Sequence, residues 1–107
     1  MDAYDYDGPM TRDAIIAVLR THEAALRRLG VARAALFGSA ARGDAAADSD
    51  LDIFVDIDPA AKVDLYRYVG ITQYIAGLFS VPVDVAVRAT LIDRVRRTAE
   101  QDAVYAF

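Results

Sequence analysis

Residues 36–56 read LFGSAARGDAAADSDLDIFVD, and the changes of character along this stretch set what the rest of the chain must build. The apolar run Ala34-Ala35-Leu36-Phe37 reads as a buried strand that stops at Gly38-Ser39, where glycine allows a close backbone approach to a ligand. After a ten-residue gap, Asp50-Leu51-Asp52 opens a second strand over 51–57. Side chains alternate along a strand, so Asp50 and Asp52 leave the same face about 6–7 Å apart. Two carboxylates on one edge repel each other and call for a cation. Magnesium suits them, because it takes one or two carboxylates and completes its octahedron with water and phosphate oxygens.

Two familiar phosphate and metal loops fail on spacing. Gly38-x4-Gly43 begins like a P-loop, but Asp44 and Ala45 stand where lysine and a hydroxyl residue are required. Asp48-x-Asp50-x-Asp52 begins like a calcium loop, but Ile53 replaces the turn glycine and Pro59 the closing glutamate. Gly38-Ser39, ten residues, then Asp50-x-Asp52 instead resembles the signature of the polymerase-beta-like nucleotidyltransferases. Ala41-Arg42-Gly43 and Asp48-Ser49 resemble its minimal, MNT-type branch. Four fixed residues at fixed spacing arise by accident in a chain of this length on the order of once in a thousand.

Outward from this stretch, 1–10 carries Asp2, Asp5 and Asp7 among tyrosines and closes on Gly8-Pro9, which reads as a flexible tail before a domain over 11–107. Thr11 can cap a helix whose apolar stripe is Ile15, Leu19, Leu26 and Leu29, with His22 in the missing place and Gly30 at the end. His22 reads as a packing residue, and Arg12, Arg20, Arg27 and Arg28 as a solvated face. A short helix is expected at Gly38, capped by Ser39, with N–H groups free for phosphate and Arg42 one turn on. The residues after Gly43 loop back to deliver Asp50 beside Ser39. A long helix over 60–79 is expected to bury Leu65, Tyr68, Val69, Thr72, Ile75, Ala76 and Phe79, with Gly70 and Gly77 hinting at close packing. In 81–87, a third strand, Asp84 is a single acid among β-branched residues, and an unpaired buried carboxylate there would be expensive. An arginine or a turn could satisfy it. A last helix over 91–105, with Thr90 and Asp93 at capping-box spacing, turns Ile92, Val95, Ala99 and Ala103 inward and Arg94, Arg96 and Arg97 outward.

The 107 residues, 55% hydrophobic and 26% charged, suit one domain with one core. A net charge of −4 argues against direct nucleic-acid binding, which needs cations to neutralise phosphates. The absence of cysteine excludes disulfides and thiolate metal sites. With no signal peptide and no apolar run of membrane-spanning length, the expected location is cytoplasmic, without membrane association.

The expected fold is α/β, a small mixed sheet of about three strands flanked by helices, the mixed character being implied by the resemblance. The resemblance also implies a third acid at the place of Asp84. The expected catalytic and metal residues are therefore Asp50, Asp52 and Asp84, with Gly38, Ser39 and Arg42 for the nucleotide. Two magnesium ions and ATP are the expected cofactor and substrate. MNT-type antitoxins are understood to adenylylate a tyrosine of a partner HEPN ribonuclease toxin, which implies a hetero-oligomer. The alternatives are a binding module that blocks its toxin by contact and a small-molecule nucleotidyltransferase. The small-molecule enzymes usually carry a further domain for their acceptor.

Overall fold

Alternation along two adjacent strands divides the structure into layers. The computed structural model describes residues 11–43 and 50–107. Strand β1 (Val31–Phe37) pairs antiparallel with β2 (Leu51–Ile57), placing Leu36 opposite Ile53, Ala35 opposite Phe54 and Phe37 opposite Asp52. On β2, Leu51, Ile53 and Val55 point into the main core, whereas Phe54 points to the other face. Strand β3 (Val83–Val87) runs parallel to β2 and forms one edge; β4 (Val104–Tyr105) pairs antiparallel with β1 and forms the other. The sheet is mixed, as expected, with order β3-β2-β1-β4. Its fourth strand occupies residues assigned above to the last helix.

One face is covered by helices α1 (Arg12–Thr21), α2 (Glu23–Leu29) and α4 (Leu65–Ala76), which contribute Ile15, Leu19, Leu26, Ile71 and Ile75 to the core. Short helix α3 (Gly38–Arg42) adds Ala40 and Ala41. The other face holds a smaller cluster in which Phe54 and Ala35 meet Ala99 of helix α5 (Asp93–Asp102). Phe54 lies 5.5 Å from the Phe37 ring and 5.7 Å from the Tyr105 ring, centroid to centroid.

Thr11 caps as expected, its hydroxyl accepting from the Ala14 N–H at 3.1 Å, and Gly30 closes α2 in the left-handed region at φ 107°. The first helix is nevertheless two. His22 leaves helical geometry, and its ring Nδ1 meets the Tyr74 hydroxyl at 2.8 Å, so its place in the stripe is filled by a hydrogen-bonded contact. Its packing role stands.

The helix expected over 60–79 needs the larger correction. A 3-10 turn (Pro59–Ala61) comes first, and α4 begins at Leu65 because Asp64 caps it, accepting from the Arg67 N–H at 2.8 Å. Its buried face is Ile71 and Ile75, while Leu65 is 77% exposed and Val69 and Ala76 also face outward. The apolar positions outnumbered what one helix face can bury, and the sheet selected a stripe that begins later. Gly77 is the C-cap rather than an interior residue. Gly70 has open space where a Cβ would stand, so no close approach among the described residues explains it. Gly70→Ala is therefore expected to stabilise the fold by about 1 kcal/mol through helix propensity, read as a melting temperature higher by about 4–8 °C.

The last helix also differs. Ile92 and Val95 are exposed rather than inward, and Thr90 does not cap it; the Thr90 hydroxyl donates to the Val87 carbonyl at 2.9 Å inside a 3-10 turn (Arg88–Thr90). No described helix is long and apolar enough to cross a membrane. The expected tail over 1–10, and the loop with Asp44, Asp48 and Ser49, lie outside the described residues.

Candidate active site

The site begins where β1 ends. Gly38 takes φ 73°, a left-handed value that lets the chain turn from strand into α3. A Cβ built there would overlap the Asp52 carboxylate, because Phe37 and Asp52 are cross-strand partners and Gly38 is next in line. The glycine thus makes room for an acid of this chain, a reason the sequence does not disclose. Ser39 does not cap α3: the N-cap position belongs to Phe37, and no side chain bonds there. Ser39 follows Gly38 at the start of the helix, half-buried beside it.

Asp52 and Asp84 are register partners across the parallel β2–β3 pair, which brings them side by side at the spacing of neighbouring strands, about 4.8 Å. Asp50 precedes β2 by one residue and is exposed. Asp52 is half-buried, and its pKa is raised, first by desolvation and then by the charges of Asp84 and Asp50, against a lowering by Arg42. The structure therefore brings all three predicted acids, with Gly38, Ser39 and Arg42, to one end of the sheet. Asp84 is exposed on the edge strand, so the expectation that burial forces it to find a partner is corrected. Its register opposite Asp52 is what places it.

Asp56 shows the contrast. It lies on the same face of β2, four residues beyond Asp52, but Arg88 Nε donates to it at 2.8 Å and also engages Glu100 at 3.3 Å through NH1. The side chains of Asp50, Asp52 and Asp84 make no ion pair or hydrogen bond with the described residues. One end of the strand face is neutralised by arginine, and the other is left as unbalanced negative charge. Such charge invites a cation, and all-oxygen donors suit magnesium. The side chains do not close into a cage of three or more ligands among the described residues. Magnesium does not need one, since waters and phosphate oxygens complete its shell.

Arg42 leaves α3 and pairs with Asp102 of α5 at 2.7 Å, within electrostatic reach of Asp52. Beside it a cavity of about 290 Å³ lies between α3 and α5, lined by Phe37, Gly38, Arg42, Arg94, Thr98 and Asp102 among others. The sequence reading missed Asp102 and Arg94. An arginine on the polar side of a helix carries no mark distinguishing a cavity wall from bulk surface.

Comparison with known proteins identifies the family. A profile of the nucleotidyltransferase domain matches residues 19–106. The protein adenylyltransferase MntA of Thermococcus cleftensis is 32% identical over 97 residues, covering 90% of this chain and 96% of that protein. A solved structure described as a candidate minimal nucleotidyltransferase is 29% identical, covers 89% of this chain and 95% of its own, and superposes with a TM-score of 0.73. A chain of a toxin–antitoxin complex solved with AMP-PNP shares the fold at a TM-score of 0.63 and 20% identity, covering 92% of this chain and 73% of its own. The turn at Gly38, the acids gathered from two parallel strands and the match across most of the length place this chain in the nucleotidyltransferase domain family.

Proposed function

We propose that the protein transfers AMP from ATP to a tyrosine hydroxyl of a partner HEPN-type ribonuclease toxin and acts as its antitoxin. The observation that carries the reading is the Gly38–Asp52 juxtaposition. A turn at which a phosphate chain can approach the backbone abuts a half-buried carboxylate that has a second carboxylate, Asp84, in register beside it. The similarity to a protein adenylyltransferase supports a protein acceptor, and the toxin–antitoxin neighbour with AMP-PNP supports a toxin partner and an adenine nucleotide.

In this mechanism Asp50 and Asp52 would hold two magnesium ions and Asp84 would support one of them. Bound there, the metal would neutralise charge on the phosphates and lower the pKa of the attacking hydroxyl. Gly38 and Ser39 keep the β- and γ-phosphates in line with the acceptor. The tyrosine oxygen attacks the α-phosphorus; the new O–P bond forms as the bond to the β-phosphate oxygen breaks, and pyrophosphate departs with that electron pair. The hydroxyl proton needs an acceptor, and Asp84, exposed at the edge opposite Asp52, would take it in this reading, beside or instead of supporting the metal. Apart from the metal, the protein contributes position and charge.

The test is incubation with ATP, magnesium and a HEPN-type partner, followed by mass spectrometry and a ribonuclease assay of the partner. The expected result is one or more adenylyl groups on a partner tyrosine and loss of ribonuclease activity. An inhibited but unmodified partner would mean a blocking module. A labelled small molecule with an untouched partner would mean a small-molecule transferase.

A further inference from the structure

The cavity between α3 and α5 has features that the fold alone does not require. Gly38 lies at its inner edge, next to Asp52, and Phe37, Val95 and Ala99 form its apolar wall. Among the described residues its charged lining is Arg42, Arg94 and Asp102. Asp102 is already matched by Arg42 at 2.7 Å, so among these described residues Arg94 is the excess charge. Most of the other described arginines have work within the domain. Arg20 Nε donates to the Ala106 carbonyl at 2.8 Å, Arg88 engages Asp56 and Glu100, and Arg96 pairs with Asp93 at 2.6 Å. Arg94 makes no side-chain hydrogen bond or ion pair among the described residues, although the Thr98 hydroxyl donates to its main-chain carbonyl at 3.2 Å.

Its position is also electrostatically unfavourable. Arg94 stands in the first turn of α5, which begins at Asp93, and a cation there opposes the positive end of the helix dipole. Asp93 opens the same turn, but its carboxylate is engaged by Arg96 at 2.6 Å. An anion placed in the cavity would gain from the guanidinium and the nearby Arg42, whose planar donors match phosphate oxygens.

We propose that this cavity is the subsite for the terminal phosphates of the nucleoside triphosphate, with Arg94 contacting them and the Arg42–Asp102 pair holding the second guanidinium in place. The inference rests on the nucleotidyl-transfer reading above and adds to it an arginine of α5 that meets the phosphates held at Gly38 and Ser39. Two phosphate groups suit a cavity at the small end of ligand pockets. It opens beside Gly38, so a chain of phosphates would run from the carboxylates past the glycine into α5. Arg94 would then hold the pyrophosphate as the bond to the α-phosphate breaks, and it would recognise triphosphate without touching the AMP that is transferred.

The experiment is calorimetric titration of magnesium with a non-hydrolysable ATP analogue, with pyrophosphate and with AMP, against wild type, Arg94→Ala, Arg94→Lys and Arg97→Ala. Arg97 lies on the same helix, exposed and outside the cavity lining. The expected result is that Arg94→Ala weakens the ATP analogue and pyrophosphate about tenfold or more and leaves AMP unchanged. Arg94→Lys should recover part of the loss, and Arg97→Ala should behave as wild type. Equal loss for AMP, or unchanged pyrophosphate binding in Arg94→Ala, would overturn the subsite while leaving the transfer reading intact. If Arg94→Ala kept nucleotide binding but lost modification of the partner, the cavity would belong to the acceptor instead and the proposal would fall. A wild type that bound neither the analogue nor pyrophosphate would count against the transfer reading itself.

Discussion

Asp52→Asn is expected to reduce nucleotidyl transfer by at least about a hundredfold while raising the thermal stability of the metal-free protein. The two effects have one origin. Asp52 is half-buried beside Asp84 and near Asp50, and no described side chain pairs with it. Its pKa in the fold is raised, chiefly by desolvation, so the ionised form is less favourable in the folded than in the unfolded chain. Between the ordinary carboxylate value and the raised one, the folded state binds more protons than the unfolded state. Stability therefore falls as pH rises through that window and stays lower above it.

Asparagine cannot ionise and should escape this loss. The melting-temperature advantage of Asp52→Asn should be small below the ordinary carboxylate range and fully developed at neutral pH. Magnesium should reverse the order, because an ion that binds only the folded state stabilises the parent and finds one ligand fewer in the variant. Melts across pH, with and without magnesium, together with a transfer assay, check all of this. Unfolding of the variant under every condition, or a parent indifferent to magnesium, would remove Asp52 from the metal site.

Gly38→Val is the second large effect, and it should exceed that of Ser39→Ala by a wide margin. Gly38 holds φ 73°, where a side chain costs about 1–2 kcal/mol, and its Cβ would overlap the Asp52 carboxylate. Valine must displace either the turn or the acid, adding about 1–3 kcal/mol of overpacking. Titration with a non-hydrolysable ATP analogue and magnesium should show binding lost, with a lower melting temperature. Ser39→Ala should weaken binding only modestly, since the Ser39 hydroxyl bonds nothing among the described residues and caps no helix. Parental affinity in the glycine variant would show that neither phosphate nor Asp52 needs the space at this turn.

Much of the architecture is legible in local pattern. The apolar run of the first strand, the second strand opening at Leu51, the Gly30 stop and the Thr11 cap are short-range signals, and each is found in place. The boundaries of α4 and α5 were not legible in this way. Leu65, Val69, Ile92 and Val95 satisfy a helical stripe as well as Ile71, Ile75 and Ala99 do, and only the sheet beneath decides which stripe is covered. The β4 strand was hidden for a related reason: two residues are too few to carry a period, and β1 supplies their partner.

The candidate site divides along the same line. By itself the sequence determined the chemistry: two carboxylates alternating on one strand, a glycine at the preceding strand end, and a spacing that resembles one family. Tertiary structure decided which acids stay unpaired, because Asp56 and Asp52 share a strand face and only Asp56 meets an arginine brought from 32 residues away. It decided that Gly38 yields its space to Asp52, and that Arg94 borders a cavity. The reason is physical. A side chain's type and its spacing along a strand are local properties, whereas its ion pairs, its burial and the free space around it depend on register and packing between segments distant in the chain.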